Sequence, residues 1–442
     1  MHLVFHNVLP TLDDLWTSDY KRVDTSNREF RLAPTVIEAV GSGCTEAGNT
    51  TPSAFGARVP NIATERHYFT AESWMLFSTM LGLALLHKWF KHQQYYNHFI
   101  KLVRLINKCL LLSIPRTIVN TEIRKGFAEW VLEYKRLYYQ CRPEMLPVCT
   151  LPIHGLLHLA DNIVRAGPVW CHWNFPTERF CGALVRASKS RKNPYASFAW
   201  RLLEIARLSQ IKLLFNLRDH PNLSDSRDAA NTGLALANYP HIHALKPHVT
   251  RTVDTIICKA IKNHLLRTYD LTDYQARVLI PQQLSQWSQI RFLEGGDTIN
   301  CASLYRRSEQ NQSREATFIK YTVEVNKNKR FRNLPVVMER CPAYSELLTV
   351  IELDLLKTSN AECFGGRQSD LLAVIRPAKL AQKNKLTTPY YYDGEFKPVE
   401  VINVDDISCL VARIPDRWPT SCLRWALYER PYVMGLEPED EE

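Results

Sequence analysis

Three groups of residues in this chain have types and spacings that could carry chemistry. The first centres on Glu178, the only carboxylate in "GPVWCHWNFPTERF" (167–180), which also holds two tryptophans, two phenylalanines, a histidine and two prolines. An acid in such a setting could belong to a metal-dependent nuclease. Two-metal phosphoryl transfer, however, needs several carboxylates converging on the ions, and this stretch offers one. A Glu beside Arg179 in the first turn of a helix is also an ordinary structural residue, because the helix dipole favours it there. Trp170, Trp173 and Phe175 could stack on bases, although alternating aromatics in a strand are more often core.

His154 and His158 form the second group. They stand four apart in "LPIHGLLHLAD", one helical turn, with Cys149, Cys171 and His172 nearby in sequence. A histidine pair on one helical face is a known zinc geometry, yet the segment lacks the glutamate of H-E-x-x-H and a cysteine pair to close a tetrahedron. Capped or core histidines are the expectation, with no complete metal set in the chain. The third group is basic: Arg186, Lys189, Arg191, Lys192, Arg201, Arg207, Lys212 and Arg218 face two acids, Glu204 and Asp219. "RASKSRK" followed by "NPY" suits a loop that touches phosphates, or equally a solvated face. No phosphate-cradling glycine loop and no Ser/His/Asp arrangement accompanies these groups.

The elements that must position them follow from periodicity. Residues 24–66, rich in Gly, Ser, Thr, Pro and Asn, read as a linker or irregular arm, and the domain they end (1–66) as an extended arm with a short N-terminal helix. From Thr70, a candidate cap, apolar residues recur at Trp74, Phe77, Leu81, Leu85 and Trp89, then at Phe99, Leu102, Val103, Ile106 and Leu110. Phe127, Trp130, Val131, Tyr134, Leu137 and Tyr138 share the face of a third helix. Residues 67–166 are therefore expected as a helical bundle. Residues 167–222 read as a strand over 169–175, a helix opening at Pro176 and a basic helix at about 195–217. The strand is expected at an exposed edge or under the arm. A helix at about 249–268 dominates a segment and linker, 223–312. Alternation in "TFIKYTVEV", "LLTVIELDL", "DLLAVI", "KPVEVINV" and "ISCLVARI" marks a small β domain over 313–433, and 434–442 form an acidic tail. The expected class is α+β, a mainly helical body with a small C-terminal β domain.

The totals bound the partners. A chain of 442 residues exceeds one ordinary core, and its formal charge of +10 favours polyanions although "EPEDEE" adds five acids. No C-x-x-C pair and no secretory pattern occur, so reduced intracellular cysteines are expected. "WMLFSTMLGLALL" falls short of the roughly 18–20 residues that span a bilayer and reads as a buried helix, so no membrane segment is expected; nor is a small-molecule substrate among the expected partners.

"LPIHGLLHLADNIVRAGPVWCHWNFPTERFCGAL" resembles the C-terminal half of CACTA-type (En/Spm-like) DNA transposases in the forms common in fungal genomes. The shared pattern is a P-x-H-x-L-x-H-L-like segment, a G-P-V segment, an aromatic strand and an F-x-E-R-[FY]-x-G core. "TAESWMLF", "YKRLYYQ", "SRKNPYASF" and "VDDISCLVARI" extend the resemblance over most of the chain. It implies a DDE transposase, with an RNase-H-like core in which two aspartates and a glutamate bind divalent metal (Mg or Mn) and a helical insertion precedes the glutamate. Carried over by motif, Glu178 is that glutamate, and the bundle at about 70–166 is the insertion. "MHLVFHNVL" resembles a D-x-M-H segment, with His2 as its histidine. The chain begins inside that pattern, so the aspartate is not in it.

What the resemblance implies is thus a remnant of an RNase-H-like core, truncated at its N-terminus and inactive alone. It retains affinity for transposon-end DNA through Arg179, Arg186, Lys189, Arg191, Lys192 and Arg201, sits in the nucleus and can form a homo-oligomer. The competing expectation is a co-opted, non-catalytic module that binds DNA or protein.

Overall fold

The computed structural model describes residues 2–20, 23–87, 89–187, 192–217, 233–269, 271–293, 297–304, 314–328, 333, 335–355, 369–383, 390–417 and 423–429. The N-terminal half is helical, with α1 (Leu9–Thr17), α2 (Pro34–Thr50), α3 (Ala71–Leu76), α4 (Gly82–Leu85), α5 (Gln93–Cys109), α6 (Arg116–Ile118), α7 (Arg124–Tyr134), α8 (Leu151–Gly155), α9 (Leu159–Ala166), α10 (Phe175–Ala187) and α11 (Pro194–Leu214). Wider π turns join α3 to α4 and α6 to α7 and extend α7 to Tyr139, so these pieces form two longer rods. Thr70 caps α3 by accepting a hydrogen bond from the Ser73 N–H, as its position predicts.

The expected bundle faces are the buried ones. Phe127, Trp130, Val131, Tyr134, Leu137 and Tyr138 are all inside; Trp130 stacks on His98 of α5, Tyr138 packs tilted against the same ring, and Trp16 of α1 meets Phe99 of α5 edge-on. Burial of each such side chain contributes about 1.5–3 kcal/mol. Their polar tips are also satisfied: the Trp16 indole donates to the Tyr138 hydroxyl at 3.0 Å, and the Tyr134 hydroxyl donates to the Val148 carbonyl at 3.0 Å. "WMLFSTMLGLALL" is buried within the α3–α4 rod.

The arm is where expectation and structure part. Residues 34–50 are not linker but α2, opening on Pro34 and burying Val40, Gly41, Gly43, Cys44, Ala47 and Gly48. The small residues that suggested a flexible segment are a close-packing face: a Cβ at Gly43 would lie 2.6 Å from the Leu85 side chain. Helix packing overrides the weak helix propensity of glycine, serine and threonine.

The C-terminal half is β-rich: β1 (Leu234–Ala235), β2 (Ile242–Thr252), β3 (Gln283–Phe292), β4 (Thr298–Asn300), β5 (Phe318–Asn326), β6 (Met338–Asp354), β7 (Ser369–Lys383), β8 (Tyr390–Phe396), β9 (Glu400–Asn403), β10 (Ile407–Arg417) and β11 (Leu423–Glu429), with α12 (Thr255–Thr268) and α13 (Asp273–Val278) between β2 and β3. The segment 223–312 is thus not mainly helix and linker. Residues 249–252, expected in a helix, belong to β2 and pair with β3, and α12 starts at Thr255 on an Asp254 cap. The expected strands at 317–325, 347–355, 370–375, 397–404 and 407–414 correspond to β5, β6, β7, β9 and β10, while β8 and β11 come in addition. β5, β6, β7, β8, β11 and β10 pair in that order and β10 pairs back to β5, closing a six-stranded antiparallel ring. Its interior holds Phe318, Tyr344, Ala378, Tyr392, Val411 and Leu427. The Arg413 guanidinium lies there between the rings of Phe318 (4.7 Å) and Trp425 (5.1 Å) and pairs with Glu315.

The two halves share one core. The outward face of the ring, including Ile319, Tyr321, Ala412, Ile414 and Tyr428, joins the helical cluster, and α12, through Ile261 and Leu265, and α13, through Ala276, cover part of the opposite face of the sheet. The architecture is α+β, a helical N-terminal region on a β-rich C-terminal sheet. Among the described residues no strand precedes Leu234, no helix is long and apolar enough to cross a membrane, and the ten described cysteines are free thiols.

Candidate functional site

The expected strand at 169–175 is not formed. Val169–Cys171 make one 3-10 turn, and the aromatics attach to the helical body: Val169, Trp173 and Phe175 pack against its core, and the Trp170 indole donates to the Leu112 carbonyl at 2.8 Å. With no neighbouring strand to pair with, the segment's backbone takes a turn instead. The helix expected at Pro176 does form, opening one residue earlier at Phe175 with proline in its first turn.

Glu178 therefore stands in the first turn of α10, its N–H donating to the Asn174 carbonyl at 2.9 Å and its carboxylate half exposed. The chain start is its neighbour. His2 Nε2 lies 3.9 Å from Glu178 Oε1, and His6, one turn further along, stacks on His2 with ring centroids 5.0 Å apart. The two residues singled out by motif, distant in sequence, thus meet on one surface. This happens because Leu3, Val4, Phe5 and Val8 anchor the first turns in the helical core, with Leu3 packed over Gly155 of α8. Burial, and then the neighbouring His2, hold His6 below the ordinary imidazole value against the pull of Glu178. Beside this group His2, Asn162, His172, Trp173 and Asn174 line a cleft of about 120 Å³.

Arg179 points away from Glu178, its guanidinium 3.9 Å from Glu72 and largely exposed. Arg186 lies in the last turn of α10, Lys192 in the turn before α11, and Arg201 on α11 beside Glu204 at 3.5 Å. Lys189 and Arg191 lie outside the described residues. Arg207 and Lys212 add to the same helix, so the described part of the α10–α11 hairpin carries six cations against two acids.

His154 and His158 are exposed rather than core, with their Nε2 atoms 3.3 Å apart. That spacing is close to what two ring nitrogens need to share one tetrahedral cation at about 2.0–2.1 Å each. Asp161, next along, is held by Arg124 at 2.7 Å, which together with its exposure keeps it a bridge partner rather than a third ligand. Among the described residues no three His, Cys, Asp or Glu side chains converge closely enough to hold a metal ion. Comparison with protein-family models, with curated proteins and with solved structures gives no match.

Sequence reading missed one member of the site, His6. Its signal was present, since two histidines four apart in "HLVFH" share a helical face.

Proposed function

We propose that this chain is a transposon-derived, DNA-binding protein related to DDE-type cut-and-paste transposases, without catalytic activity of its own. The observation that carries the reading is the meeting of His2 and Glu178, the two residues assigned from separate family motifs, at 3.9 Å on one exposed surface. Its electrostatics support a polyanionic partner: the hairpin that presents Glu178 is basic and solvent-facing.

The residues at this surface do not fit the divalent metal that the family uses. One carboxylate, two imidazoles and an arginine turned to Glu72 give too few oxygen donors for Mg²⁺ or Mn²⁺, which need oxygen-rich coordination. Strand transfer in this reading needs carboxylates from outside the described residues, and no cleavage step is assigned to this chain. The RNase-H-like core remains part of the proposal in the same sense, with α10 as its glutamate-bearing helix.

The test is a metal-dependent cleavage assay on transposon-end DNA with this chain, an N-terminally extended form, and the extended form carrying Glu178→Gln. Cleavage only by the extended chain, abolished by the substitution, is the expected result. Binding of duplex DNA by this chain should weaken steeply with salt, and replacing Arg186 and Lys192 by Gln should flatten the slope by about one unit for each phosphate no longer neutralised. Salt-insensitive binding, or none, would sink the DNA reading. It would favour a co-opted protein-binding module, which the exposed apolar side chains of the same hairpin also suit.

A further inference from the structure

Among its described residues the α10–α11 hairpin has none that is buried, although α11 is among the more apolar of the described helices. Nine large apolar side chains between Tyr195 and Leu214 are at least 37% exposed, with Tyr195 at 84% and Leu214 at 78%. Helices that are apolar around most of their circumference are normally covered. The side of α11 nearest α10 is marked by half-buried Ser197, Phe198 and Lys212, which leaves a long face free.

That face has an ordered pattern. Tyr195, Ala199, Leu202, Ala206, Ser209 and Leu213 are spaced four, three, four, three and four apart, the a/d spacing of a helix that pairs with another helix. All six are exposed. Of the flanking positions Ala196, Phe198, Leu203, Ile205, Gln210 and Lys212 only Lys212 is charged, and it mirrors Ala196, while Arg201, Glu204 and Arg207 lie around the remainder of the helix. No like charges would therefore meet across the seam.

The spacing of the stripe is also the same from both ends, with the large Leu202 set opposite the small Ala206. About Glu204, the middle residue of α11, Tyr195 mirrors Leu213, Ala199 mirrors Ser209 and Leu202 mirrors Ala206. A two-fold interface requires this self-complementarity, because residue i of one copy meets j of the other and j meets i. Small residues at Ala199, Ala206 and Ser209 let the two backbones approach, and large ones fill the spaces between. At 1.5 Å per residue the seam, Tyr195 to Leu213, is about 28 Å long. With roughly half of each large side chain available, it would bury on the order of 600 Å² per copy, the lower end of specific interfaces.

We propose that α11 pairs antiparallel with α11 of a second copy of this chain through this stripe, making the protein a homodimer. The proposal does not rest on the transposase reading, and its test involves no DNA. Light scattering after gel filtration, across a concentration series, should give twice the chain mass. Leu202→Glu combined with Ala206→Glu should weaken dimerisation tenfold or more with unchanged far-ultraviolet circular dichroism, and Glu204→Gln, on the opposite side, should leave it intact. If the double variant fails to fold, Tyr195→Glu carries the same test at the seam's end. Mixing Leu202→Cys chains with Ala206→Cys chains should yield an interchain disulfide that neither chain forms alone, which fixes the antiparallel register. A monomer at every concentration overturns the proposal, as does a dimer indifferent to the seam substitutions or a Leu202→Cys chain that links to itself as readily as to its mirror position.

Discussion

Two helices of similar length have opposite fates in this molecule. α5, with 17 residues, buries ten side chains, whereas α11, with 21, buries none. The difference is one of arrangement rather than apolar content. In α5 the apolar residues lie on one side and Lys101, Arg104 and Lys108 on the other, so one core satisfies the helix. In α11 apolar residues surround the axis, and packing against α10 alone leaves most of them in water. The candidate site belongs to the second kind of region. Glu178 sits at the base of a solvent-facing hairpin, where high dielectric weakens any charge it would hold. A catalytic role for it requires something to cover that surface.

The contrast can be broken most directly at Trp130 and Trp200. Trp130→Ala removes a fully buried indole stacked on His98 and should cost about 3–5 kcal/mol in urea denaturation. Slightly smaller is the effect expected of His98 itself. Its pKa is lowered by burial to about 4, so below 6.5 the unfolded chain takes up a proton that the folded chain refuses. The stability contributed by neutral His98 is therefore complete above pH 6.5 and is lost as pH falls through 4, by about 3 kcal/mol in total. His98→Phe, which keeps the stack on Trp130, should flatten that limb of a stability–pH profile; an unchanged limb would place the acid sensitivity elsewhere.

Glycines sharpen the comparison at lower energies. Gly41→Ala in α2 would drive a Cβ into the Asn61 side chain, whose Oδ1 accepts from the Ala63 and Thr64 N–H groups, and should destabilise by about 1–3 kcal/mol. Gly182→Ala in α10 meets nothing closer than the Arg186 guanidinium at 3.6 Å. It should stabilise the hairpin locally by up to about 1 kcal/mol, read as slower amide exchange in α10. Smallest is Trp200→Ala, expected within about 0.5 kcal/mol in the monomer. A loss matching that of Trp130→Ala would mean that the hairpin is packed after all.

The faces of α5 and α7 were legible because the core lies on one side of each and imposes a 3.6-residue period. α2 was not, because its packing face is made of Gly41, Gly43, Cys44, Ala47 and Gly48, residues that also compose linkers. The early strands were hidden for a related reason. In "QLSQWSQIRF" Gln283, Ser285, Gln286, Ser288, Gln289 and Arg291 are polar and break any alternation with the apolar residues, and only pairing with β2, β4 and β6 makes it β3. No spacing rule connects His2 with Glu178. The family resemblance singled out each of them separately, whereas their meeting and the exposure of the hairpin that carries Glu178 follow from tertiary placement and have no trace in local sequence.

The junction between the halves also sets a timetable for making the protein. The Thr50 hydroxyl donates to the Arg413 carbonyl, 363 residues downstream, and the Glu315 N–H donates to the Asn49 carbonyl. At about 5–20 residues per second, the ribosome needs roughly 20–70 s to deliver the partner of a helix it has already released. Throughout that interval Gly41 and Gly43 of α2 can already close on Asn61 and Leu85, but the side of α2 that meets β10 stays uncovered, so a nascent chain stalled anywhere before β10 exposes a surface that chaperones recognise.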